Sequence, residues 1–117
     1  MSDDNGIPSA ATLVSKVQEL NRVIRGLEED LASKLTERAD GEATVRSQFA
    51  YRYRLARDEG LSVADSETRA RAETVVLSNE RDKADGAVTV ILAKLEDRRG
   101  ERHSLHRLID LRAAMGA

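Results

Sequence analysis

His103, His106 and Asp110 follow i, i+3, i+7 spacing, so a helix would carry all three on one face. Two imidazoles and a carboxylate are donors that zinc accepts. Yet that face points away from the apolar stripe of Leu105, Leu108 and Ile109, has Arg99 and Arg107 as neighbours, and offers no legible group to orient the imidazoles. The Glu-x-x-His pattern of di-iron bundles is also missing, because Gly100 stands three before His103 and His103 stands three before His106. We read the trio as a solvated face and expect neither metal nor cofactor.

Carboxylates cluster at Glu28, Glu29 and Asp30. Acid–base catalysis would need them desolvated in a pocket with separated proton affinities, whereas a narrow helical hairpin provides no such concavity. Charge runs of this kind solvate a helix and pair along it. The seven glycines are scattered and form no phosphate-binding loop. The expectation is a protein that is not an enzyme.

"QFAYRYRLAR", residues 48–57, holds all three aromatic residues, Phe49, Tyr51 and Tyr53, interleaved with Arg52, Arg54 and Arg57 and preceded by Arg46. Basic residues alternating with aromatics suit single-stranded nucleic acid, gripping phosphate while a ring stacks on a base. Helical spacing divides the segment. Phe49 and Tyr53 share a face with Val45 and Ala56 and are expected to pack near Thr68 and Ala72, whereas Tyr51 projects outward. The candidate nucleic-acid or partner surface is therefore Arg46, Tyr51, Arg52, Arg54 and Arg57.

The elements that must position these groups are helices. Charged residues make up 34% of the 117, aromatics 3%, and the only proline is Pro8, a composition suited to long helices and one all-α domain. With no cysteine there is no disulfide framework, thiolate metal site or cysteine nucleophile. The acidic opening "MSDDNGIPSA" lacks the basic start and apolar run of a secretory signal, and even "AVTVILAKL" is interrupted by Lys94, which leads to an expected cytoplasmic location without membrane contact. The formal net charge of -2 argues against general nucleic-acid binding. Small basic surpluses, six basic against four acidic groups in each case, occur over residues 46–72 and 94–117.

Leu13, Val17, Leu20, Ile24, Leu27 and Leu31 alternate steps of four and three, the signature of a heptad seam. The pattern blurs through "TERADGE" and resumes at Val45, Phe49, Tyr53 and Ala56, which predicts one helix over 9–58 with Ser9 as its N-cap after a flexible segment 1–8. Gly60 supplies a left-handed stop, and Ser62 with Asp65 three residues on supplies the next start. A turn over 59–62 and a helix over 63–115 follow, with a seam through Leu77, Arg81, Ala84, Val88, Ile91, Leu95, Arg98, Arg102, Leu105, Ile109 and Arg112. The expected fold is an antiparallel coiled-coil hairpin roughly 75 Å long, with Arg102 opposite Glu19 and Arg81 opposite Asp40 or Glu42. Gly41 and Gly86 should lie side by side in a wet polar layer that could also serve as a hinge.

A lone pair of helices buries little. Apolar residues beyond the seam, Val90 and Leu92 flanking it and Leu108, Leu111 and Met115 forming a second stripe, mark a candidate oligomer interface. The expected assembly is a dimeric four-helix bundle or a higher homo-oligomer.

Ala50, Tyr53 and Ala56 before the turn, "SVAD" at 62–65, then Arg69, Ala70, Ala72 and Glu73, and finally "SLHRLIDLRAAM" at 104–115 together resemble a family of small phage proteins that form helical hairpins. Such proteins are often encoded near recombination or single-strand annealing functions. The resemblance implies a phage-encoded accessory in DNA recombination or replication, working through protein contacts with room for weak single-stranded DNA binding. Its location would then be the host cytoplasm. Two other expectations remain open, a scaffold or connector component of the virion and a small inhibitor of a host defence protein.

Overall fold

The structure, a computed structural model, describes residues 6–116. Its elements are three α-helices, α1 (Ala10–Asp58), α2 (Val63–Glu73) and α3 (Val75–Gly116). Of the expected flexible segment 1–8, residues 1–5 lie outside the described residues. The described residues form two compact units, one from residues 6–31 and 91–116 and the other from residues 32–90.

The start of α1 follows the capping rule. Ser9 Oγ accepts the amide of Thr12 at 3.3 Å, and the Ser9 carbonyl accepts Leu13 N–H at 3.0 Å. Its end is a Schellman motif: Gly60 sits at φ 92°, its amide donates to the Arg57 carbonyl, and the Leu61 amide reaches back to Ala56. Ser62 then caps α2, with its Oγ accepting Asp65 N–H at 3.1 Å.

In the first unit the amino-terminal part of α1 packs antiparallel against the carboxy-terminal part of α3. Leu13, Val17, Leu20 and Ile24 are buried with Leu95, so the heptad seam is the core. Polar groups fix the register on one flank, where Arg99 Nη2 lies 3.3 Å from Glu28 and Arg102 Nη1 donates to Asn21 at 3.1 Å. Arg102 therefore meets Asn21 rather than the expected Glu19. Asn21 and Glu28 are one heptad apart on α1, and both are reached by α3 arginines lying along one edge of the pair.

The second unit pairs the carboxy-terminal part of α1 with α2 and the beginning of α3. Near the α1–α2 turn its most enclosed side chains are small, Ala56, Ser66 and Ala70 at 0% exposure and Thr74 at 3%, and farther along α3 Val88 is buried at 2%. Here the spacing changes. Ser66, Ala70 and Thr74 step by four and four before the half-buried Leu77, an eleven-residue step in place of a heptad, whereas on α1 the buried Ala56 continues the heptad spacing of the half-buried Val45, Phe49 and Arg52. Toward α3 the polar layer is present, with Arg38 Nη1 3.2 Å from Asp85 and Arg81 donating to its neighbour Asp82 rather than to Asp40 or Glu42. Gly41 packs directly on Arg81, where a Cβ would meet the Arg81 Cα at 3.4 Å. Gly86 instead faces open space, so the two glycines play different parts.

The second helix is not continuous over 63–115. Thr74 interrupts it at φ -106°, ψ 6°, with its amide shared between the carbonyls of Ala70 and Arg71 and its hydroxyl bonded to Ala70 O at 2.8 Å. Thr74, Val75 and Val76 are three consecutive β-branched residues, whose restricted χ1 weakens a helix, and the threonine hydroxyl competes for the backbone carbonyl. Because Ser78 N–H still reaches the Thr74 carbonyl at 2.9 Å, helical bonding resumes at once.

Candidate interaction surfaces

The first surface belongs to α3 in the first unit. Ser104, Leu108, Leu111 and Met115 step by 4, 3 and 4 residues, a heptad stripe beside the seam that packs on α1. Leu108 is half-buried, whereas Leu111 and Met115 remain 47% and 46% exposed. Next to the stripe, Lys16, Glu19, Leu20 and Val23 of α1 and Arg98, Glu101, Ser104 and Leu105 of α3 enclose an open groove of about 730 Å³. Ser104 belongs both to this groove and to a shallower hollow formed with Arg107, Leu108 and Leu111, so groove and stripe are continuous. The floor is leucine and valine; the rim alternates charge, and Arg98 is already paired with Glu101 at 2.6 Å.

The other two interface candidates stand elsewhere. Leu92 lies one heptad before Arg99 and so on the flank where Arg99 meets Glu28, away from the stripe. Val90 is part of the second unit. Both are about half exposed.

The second surface is the aromatic decapeptide. Phe49 and Tyr53 are not the core plug that helical spacing predicts: both are only half-buried, and the enclosed positions at this level are Ala56, Ser66, Ala70 and Thr74. Small side chains let helices approach closely, which leaves bulky rings to the flank. There Phe49, Ala50, Tyr53, Arg54 and Arg57 line a shallow groove of about 520 Å³ with Glu67 of α2. Tyr51 is 50% exposed on a different side, under the guanidinium of Arg52 at 5.6 Å from the ring centroid. Arg52 also lies 3.6 Å from Glu73, and Arg57 Nη1 donates to the Leu61 carbonyl at 2.9 Å. The five candidates Arg46, Tyr51, Arg52, Arg54 and Arg57 therefore do not form one patch. Arg46 and Arg54 have no hydrogen-bonding or ion-pair partner among the described residues.

His103, His106 and Asp110 are exposed, and no group of three His, Asp or Glu among the described residues is arranged to hold a metal ion. No helix among the described residues is long and apolar enough to cross a membrane. Comparison with protein-family models, curated proteins and solved structures finds no match.

Proposed function

We propose that the chain is a non-enzymatic, homo-oligomeric coiled-coil protein acting through protein contacts, as an accessory in DNA recombination or replication. The observation that carries this reading is the exposed Ser104–Leu108–Leu111–Met115 stripe. A helix with one neighbour needs one seam; this stretch of α3 has two, with Leu105 and Ile109 serving the first. The second has the periodicity of another helix, and the described residues of its own unit leave Leu111 and Met115 about half exposed.

The setting in DNA metabolism rests on the resemblance of residues 50–115 to phage hairpin proteins and on the small basic surpluses. Light scattering coupled to size exclusion tests the assembly. At micromolar concentration the mass should be at least twice 12.9 kDa, and Leu108→Glu with Leu111→Glu should return it to a single chain. A monodisperse wild-type monomer overturns the reading.

A further inference from the structure

The decapeptide supports a binding site on the side of α1 opposite to the one its outward tyrosine suggests. At 100° per residue, Phe49, Tyr53, Arg46, Arg57, Ala50 and Arg54 follow one another within about 140° of arc, while Tyr51 and Arg52 lie outside it. The same residues, apart from Arg46, line the shallow groove. Because the adjacent core is built from Ala56, Ser66 and Ala70, the two rings are displaced to the rim and stay partly open to water.

Three guanidinium groups surround those rings. Arg46 and Arg54 have no partner among the described residues, and Arg57 uses one of its five N–H groups on the Leu61 carbonyl. One carboxylate, Glu67, sits at the groove edge, and Asp58 follows Arg57 on the helix. From Arg46 to Arg57 the cations spread over about 16 Å of helix axis, the length of a short run of nucleotides rather than of a single phosphate.

We infer that this face binds single-stranded nucleic acid, with Tyr53 and Phe49 as the stacking platform and Arg46, Arg54 and Arg57 as the phosphate contacts. The rings supply an affinity for any base, since every base has a π face, and the arginines supply a salt-sensitive grip. A duplex offers no unstacked base to the rings. The site lies wholly in the second unit and does not depend on the oligomer stripe; it rests on the proposed role in DNA metabolism only for its setting, so loss of either result leaves the other standing.

Fluorescence anisotropy of labelled oligothymidylate, oligouridylate and duplex DNA against the full chain tests it. Both single strands should bind at low salt and weaken about 100-fold for a tenfold rise in salt, the slope for three neutralised phosphates. Arg46→Glu with Arg54→Glu should weaken binding at least about tenfold, whereas Arg22→Glu with Arg25→Glu, the same charge change in the first unit, should not. Tyr53→Leu, which keeps an apolar side chain but removes the ring, should cost about tenfold with an unchanged salt slope. Thermal melts by circular dichroism establish that each variant is folded. No binding at low salt, equal binding of duplex, or equal loss in both arginine pairs overturns the assignment; preference between thymidylate and uridylate distinguishes DNA from RNA as the source of the strand.

Discussion

Phe49 and Leu95 separate what size and burial contribute to this molecule. Phe49 is the larger side chain, yet it sits half-buried on a flank, while Leu95 is 1% exposed between the helices of the first unit. Leu95→Ala should cost about 3 kcal/mol, since it combines lost transfer energy with a cavity the surrounding leucines cannot fill. Phe49→Ala opens no enclosed cavity and should cost about 1 kcal/mol, and Tyr51→Ala should stay within about 0.5 kcal/mol. Urea titration of the three variants ranks them; a Phe49 loss equal to that of Leu95 would mean that the ring is core after all. Ser66 gives a test of opposite sign. Its hydroxyl is fully buried without a hydrogen-bond partner among the described residues, a state that costs more than a methyl in the same place. Ser66→Ala should therefore raise stability by about 1 kcal/mol, read as a higher urea midpoint at unchanged slope.

At the scale of elements, the helix boundaries and most of both seams were legible because they are local. Ser9, Gly60 and Ser62 act through bonds spanning at most five residues, and heptad spacing needs only one helix. The interruption at Thr74 was legible in principle, as three β-branched residues in a row, but weak propensity is ordinarily overridden by packing. What one helix cannot reveal is how closely its partner approaches. The eleven-residue step from Ser66 to Leu77 and the buried Ala56 make small side chains the enclosed positions at this level, and that packing, absent from either helix read alone, moved Phe49 and Tyr53 from core to flank. The surface candidates scattered for the same reason: Arg52 is drawn to Glu73 by the packing of α2, which no spacing within α1 encodes. If the Thr74 break reflects its β-branched neighbours, Val75→Ala with Val76→Ala should strengthen helicity there, because both valines are exposed and hold no core contact. We expect a gain of about 1 kcal/mol, visible as a higher melting temperature and slower amide exchange at residues 75–78. Unchanged exchange would place the cause in the buried Thr74 hydroxyl instead.

At the scale of the whole molecule, stability and assembly should be one quantity. Each unit encloses few large side chains, and the chain leaves Leu111, Met115, Val23 and Leu92 between 43% and 49% exposed. If the stripe on α3 is covered only by a second copy, a large share of the apolar burial is realised on association, and unfolding includes dissociation. The melting temperature must then rise with concentration, by about 5 °C over a hundredfold range for a dimer of two 117-residue chains. Leu108→Glu with Leu111→Glu should abolish that dependence and melt near or below the most dilute wild-type sample. Leu92→Glu, on the opposite flank, should keep the dependence even if it lowers the curve as a whole. Equal loss of concentration dependence in both would mean that the assembly uses both flanks of α3, whereas a wild-type midpoint independent of concentration, at a mass of one chain, would leave the stripe to a partner of different sequence.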